Sequence, residues 1–185
     1  MSGIFSLVVI DPPWPYGRVT APRTKAHRGR ALGGHYQPMS IEEIEKQTPL
    51  YFAAQDVHVY LWATNPKLPF AFSLLEKWGL TYQTTVTWVK TTRTGETANN
   101  GLGWYWRGAT EHALLATRGS LGIPTGLRRA NVVHAPRTGH SRKPDEFYNL
   151  LDEVYPSSLP RIDLYARDHR AGWYAWGDQA EKVDQ

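Results

Sequence analysis

The chain has 185 residues, 41% of them hydrophobic, with 21 basic and 17 acidic side chains and a net charge of +4. That is enough apolar material for one domain with a real core, residues 1–185, and it excludes a disordered chain. The absence of cysteine excludes disulfides, thiol catalysis and cysteine-ligated zinc modules, and no apolar run reaches the roughly 20 residues of a membrane span.

The start, "MSGIFSLVVIDPPW", has no basic leader and no cleavage site, so Ser6 to Ile10 reads as a buried strand in a cytoplasmic protein. Residues 11–39 read as loop, rich in Gly, Pro and basic side chains. Ser40 with Glu43 forms a capping box that opens a helix. "VHVYLWAT" (57–64) is nearly all apolar and reads as a central strand covered on both faces. In the next segment Leu68, Ala71, Phe72 and Leu75 recur at helical spacing, and Gly79 stops the helix. "TYQTTVTWVK" (81–90) and "EHALLATRG" (111–119) read as strands around a loop at 91–108, and "NVVHAP" as a short strand. Pro144 opens a helix with Phe147, Leu150, Leu151 and Val154 on one face. "RIDLYAR" (161–167) reads as a strand, and "GWYAWG" closes the pattern. Strands alternating with helices predict an α/β domain with a mostly parallel sheet, whose ligands bind beyond the carboxyl ends of the strands.

Asp11 lies just past the first strand, within "DPPWPYG". The Asp11 carboxylate accepts hydrogen bonds, and Pro12 and Pro13 keep their carbonyls while lacking N–H groups. The loop therefore concentrates acceptors, and Trp14 is expected to add an exposed aromatic plane. A flat ring carrying an amino group matches that set. Asp11 and the Pro12 carbonyl would hold the two N–H bonds and turn the nitrogen lone pair toward an incoming methyl group. Trp14 would stack on a base swung out of its helix. Basic side chains cluster at Arg18, Arg23, Lys25, His27, Arg28 and Arg30, and again at 128–143, as either a phosphate track or a solvated surface.

"DPPW" after an apolar strand resembles the MT-A70 group of amino-methyltransferases. "HYQPMSIEEI", "LWATNPKLPFAFSLLEKWG", "TWVK", "GLGWYWRGATEHALLATRG", "HSRKPDEFYNLLDEVYP" and "DLYARDHRAGWYAWGDQ" resemble further blocks of that family, in its order. The resemblance implies a Rossmann-like S-adenosylmethionine-dependent fold, circularly permuted, with the catalytic half first and the cofactor half last. It implies adenine-N6 methylation by direct in-line transfer, with no metal and no covalent intermediate.

By this resemblance Asp11, Pro12, Pro13 and Trp14 are catalytic. Asp11, Lys143, Arg167, His169, Asp178 and Gln179 meet the cofactor, with Lys143 on its carboxylate. Tyr16, Arg23, Lys25, Arg28, His35, Tyr36, Lys90, Trp104, Arg107 and Glu111 flank the target. Glu111 either reads a base edge or pairs with Arg107. Asp178 and Arg170 stand where the eukaryotic enzyme has amides. DNA is the preferred substrate in a bacterial or phage-infected cytoplasm. RNA, a cytosine N4 amine and a catalytically inactive nucleic-acid-binding subunit are the alternatives. The protein is expected as a monomer or homodimer, or beside a partner subunit.

Overall fold

The computed structural model describes residues 3–16, 38–99, 101, 103, 105–123, 125–139 and 142–177. Among these, seven strands form one sheet: β1 (Phe5–Ile10), β2 (Ala53–Thr64), β3 (Thr81–Thr91), β4 (Thr110–Arg118), β5 (Val132–Pro136), β6 (Arg161–Leu164) and β7 (Tyr174–Trp176). Helices α1 (Ile41–Lys46), α2 (Leu68–Lys77) and α3 (Asp145–Val154) cover it.

The strand order is β5-β3-β4-β2-β1-β6-β7. Pairings β1–β2, β1–β6, β6–β7 and β3–β5 are parallel; only β4 runs against its two neighbours, β2 and β3. The sheet is mostly parallel, as the sequence predicts. β2 occupies the centre, and Val57 to Ala63 are buried throughout. A strand with helices on both faces has no wet side, which is why its sequence does not alternate.

Side chains of β1 divide between two cores. Val8 and Ile10 pack with Ile44, Ala71, Leu74 and Leu75, on the side of α1 and α2. Leu7 and Val9 pack with Phe147 and Leu151 of α3 on the opposite side. The chain thus leaves β1 over one face and returns to its neighbour β6 from the other. Connections diverge at such a point and leave a crevice beyond the carboxyl ends of the strands.

Local signals hold at α1, where Glu43 N–H donates to Ser40 Oγ at 3.1 Å and Ser40 N–H donates to Glu43 at 2.6 Å. Two expectations are corrected. In α2 the buried residues are Ala71, Leu74 and Leu75, while Phe72 lies on the rim against Tyr82 with ring centroids 5.1 Å apart. Position 72 falls one residue off the 71, 74, 75 stripe. In α3, Tyr148 takes an inward place and Leu150 is half-buried.

The last long strand is also shorter than expected. β6 stops at Leu164 because Tyr165 turns to a left-handed conformation, φ 63°. The N–H groups of Tyr165 and Ala166 both donate to the Trp176 carbonyl, at 2.6 and 3.1 Å. Gly177 permits this approach, since a Cβ there would meet Tyr165 Cα at 2.8 Å. Residues 165–170 therefore form a turn beside Asp11 rather than more strand.

Candidate active site

The loop after β1 is pinned at every residue. Asp11 N–H donates to the Leu164 carbonyl at 3.3 Å. The Pro12 carbonyl accepts from Trp14 N–H at 2.7 Å, and the Pro13 carbonyl accepts from Met39 N–H at 2.9 Å. Lys67 Nζ donates to the Pro15 carbonyl at 2.5 Å. These carbonyls keep fixed directions because the proline rings limit the backbone.

Trp14 is not the exposed plane anticipated. It is 2% exposed, and its indole N–H donates to the Trp62 carbonyl at 2.9 Å. It acts as a peg that fixes the loop to the central strand. Burial of a large aromatic ring outweighs any gain from leaving it in water. The open ring of this loop is Tyr16, 48% exposed.

Four charges of alternating sign cross the crevice. Lys143 Nζ lies 2.7 Å from Asp11 Oδ2 and 3.2 Å from Glu111 Oε2, and Lys90 Nζ lies 2.7 Å from Glu111 Oε1. The two ammonium groups also sit near aromatic faces, Lys143 over Trp62 at 5.4 Å and Lys90 over Trp88 at 5.3 Å. Glu111 does not pair with Arg107. That residue lies outside the ladder, and its guanidinium donates to the Gly101 carbonyl at 3.3 Å. Register explains the choice: Glu111 stands opposite Trp88 of β3, so Lys90 is its diagonal neighbour.

Burial acts on all these groups, and their partners decide the outcome. It disfavours the Lys143 ammonium, but Asp11 and Glu111 outweigh it and hold the pKa above the ordinary lysine value. Burial also works against ionised Glu111, yet Lys143 and Lys90 prevail and bring its pKa to about 2. For Asp11, burial pushes the carboxyl up and Lys143 opposes it.

Two clefts meet at this line of charge. The first, about 300 Å³ and open to solvent, is walled by the start of α3 and the turn after β6. The second, about 380 Å³, is bounded by Pro12, Trp14, Tyr16, Ala63, Thr64 and Glu111. Asp11, Lys143 and Arg167 line both.

The first cleft is built from ion pairs that the sequence did not disclose. Arg142 contacts Asp145 at 3.2 Å and Asp168 at 3.1 Å. Arg170 contacts Asp145 at 2.5 Å and lies 3.7 Å above the Tyr148 ring. Tyr148 donates its hydroxyl to Asp163 Oδ2 at 2.7 Å. Asp163 is buried, and that burial raises its pKa to about 7, although the Tyr148 hydrogen bond opposes the rise. An acid inside the apolar strand "RIDLY" was the available signal for Asp163.

The structure brings together Asp11, Pro12, Tyr16, Lys90, Glu111, Lys143 and Arg167. Pro13 and Trp14 support the loop. His169 is exposed in the turn after β6 and lines neither of these two clefts. Arg107 lies away from the charge line, near Tyr105 and Trp106, which are 96% and 90% exposed. Arg23, Lys25, Arg28, His35, Tyr36, Trp104, Asp178 and Gln179 lie outside the described residues. Among the described residues no helix is long and apolar enough to cross a membrane.

The MT-A70 family model matches residues 5–179. The N6-methyladenosine RNA methyltransferase MTA1 of Cryphonectria parasitica is 30% identical over 98% of this chain and 53% of its own length. The type II methyltransferase M.MunI of Mycoplasma sp is 25% identical over 94% of this chain and 76% of its own length. The N(6)-adenosine-methyltransferase subunit METTL3 of Danio rerio is 24% identical over 98% of this chain and 29% of its own length. The chain thus spans about half of MTA1 and under a third of METTL3.

Proposed function

The chain belongs to the MT-A70 family, and from that premise we propose that it transfers a methyl group from S-adenosylmethionine to the N6 amine of adenine in DNA. The observation that carries this reading is the pair of clefts sharing Asp11, Lys143 and Arg167. A donor on one side of Asp11 and an amine on the other are what an in-line transfer needs.

The first cleft offers four cationic and three carboxylate side chains: Arg142, Lys143, Arg167 and Arg170 against Asp11, Asp163 and Asp168. That mixture fits a ligand bearing a carboxylate, an ammonium and a sulfonium. S-adenosylmethionine, when bound, supplies a methyl group activated by sulfonium. Lys143 has three N–H bonds; Asp11 and Glu111 take two, which leaves one for a ligand carboxylate. Arg167, at the boundary, is suited to the ribose side of the same ligand.

In the second cleft Asp11 accepts one N–H of the target amine. The Pro12 carbonyl already accepts from Trp14, and its second lone pair is the other acceptor. Both oxygens would favour the positive charge that grows on nitrogen as the methyl carbon exchanges its bond to sulfur, which keeps the electron pair, for one to nitrogen. The surplus proton would then pass from a strongly acidic nitrogen to the Asp11 carboxylate or to water, so Asp11 need not be a strong base. Lys143 beside Asp11 favours its ionised form.

DNA is the preferred substrate, in a bacterial or phage-infected cytoplasm. M.MunI, a type II methyltransferase, aligns over most of its length. RNA is the second reading, favoured by the identity to the RNA methyltransferase MTA1. Asp11→Ala tests the mechanism. Transfer should fall by about 100- to 1000-fold, the loss seen when a preorganised transition-state partner is removed, with cofactor affinity by calorimetry kept within about tenfold. Near-normal turnover in that variant contradicts the mechanism.

A further inference from the structure

Trp14 borders the second cleft but is 2% exposed with its N–H engaged, so it leaves almost no face for a flat ligand. The open aromatic ring lining the second cleft is Tyr16. A half-exposed loop tyrosine ordinarily samples several rotamers, and such a ring makes a poor platform. Here three contacts hold it. Its hydroxyl is 3.2 Å from Thr64 Oγ1, at the end of β2. The carbonyl of the preceding residue, Pro15, accepts from Lys67 Nζ. The same ammonium lies 5.4 Å from the Tyr16 ring centroid and 5.4 Å from that of Phe70.

Thr64, Lys67 and Phe70 all belong to the junction between β2 and α2. The ring is therefore held by the scaffold and not by its own loop. The ammonium covers one face of the ring, a favourable cation–aromatic contact, and Tyr16 keeps surface in the second cleft. We propose that Tyr16 is the stacking platform for the target base, and that Lys67, in the 3₁₀ turn Asn65–Lys67, is the residue that positions it. The proposal rests on the reading that the second cleft receives that base.

The test uses the full chain and a random-sequence DNA or RNA pool that the wild-type protein methylates. Lys67→Met keeps most of the stem but removes the donor and the charge. Lys67→Met and Tyr16→Leu should each raise KM for nucleic acid roughly tenfold, as loss of base stacking does, with kcat changed less than about twofold. Cofactor affinity should be unaffected, and Lys67→Arg should recover most of the lost KM. Anisotropy of the labelled pool with S-adenosylhomocysteine present measures the same loss without turnover. A wild-type protein that methylates no adenine overturns the underlying reading. Unchanged nucleic-acid binding in both Lys67→Met and Tyr16→Leu overturns the platform, as does an equal loss of cofactor affinity.

Discussion

The two clefts share three residues but are held in shape by different forces. The first is walled by paired charges, Arg142 and Arg170 on Asp145 and Asp168, with Tyr148 on Asp163. The second, which also carries Glu111, is walled by a loop tethered through backbone carbonyls, an indole N–H, a tyrosine hydroxyl and the Lys67 ammonium. Walls made of ion pairs respond to pH and to charged ligands, whereas a pinned proline-rich loop responds to shape. An enzyme that binds a small zwitterionic donor on one side and a flat base on the other needs both. Lys143, touching Asp11 and Glu111, is where the two constructions join.

Removing that joint is the most severe way to break the comparison. Lys143→Met leaves Asp11 and Glu111 buried without their shared cation. Loss of one partner of a buried pair should destabilise the fold by about 3–5 kcal/mol, measured by urea unfolding. The sign with pH follows from Glu111, whose folded pKa of about 2 lies below the ordinary 4.5. Its stabilisation is complete above about pH 4.5 and is lost as pH falls toward 2. Lys143→Met should shrink that acid dependence. It should also move the acid limb of the pH–rate profile to higher pH, because Asp11 loses the group that favours its ionised form.

Asp163 sharpens the contrast from the first cleft alone. Its folded pKa of about 7 lies above the ordinary 3.8, so ionising it opposes folding. Stability from this group rises as pH falls from about 7 toward 4. Asp163→Asn should remove that slope and stabilise the protein at pH 8 by on the order of 2 kcal/mol, seen in thermal unfolding. A slope unchanged by the substitution would locate the titration elsewhere.

The smallest effect concerns the basic segment after the catalytic loop. Neutralising Arg23, Lys25 and Arg28 together should flatten the salt dependence of nucleic-acid binding by up to about 2.7 in log–log slope. Cofactor affinity should not change. An unchanged slope would move phosphate contacts to another surface.

Much of the scaffold is legible in the sequence because its signals are local. The capping box at Ser40 and Glu43, the apolar run of β2 and the acid directly after β1 each depend on neighbours in the chain. The failures are non-local. Trp14 reads from the sequence as an exposed platform, and only the Trp62 carbonyl, 48 residues away, makes it a peg. Glu111 finds Lys90 and Lys143 through strand register and the start of a helix, not through nearby Arg107. Lys67 reaches Pro15 across 52 residues, a pairing that its place in the block "LWATNPKLPFAFSLLEKWG" does not disclose. The end of β6 was misjudged because its signal, a left-handed Tyr165 beside Gly177, lies in backbone packing and not in composition.

The central claim is that Asp11 joins a methyl donor to an adenine amine. The most direct measurement incubates the purified chain with labelled S-adenosylmethionine and, separately, double-stranded DNA, single-stranded DNA and RNA. Each pool is then digested to nucleosides and the labelled product identified by mass. The account predicts N6-methyladenine, in the DNA pools rather than the RNA pool. Label on cytosine, or no methylated nucleoside despite intact cofactor binding, would contradict it.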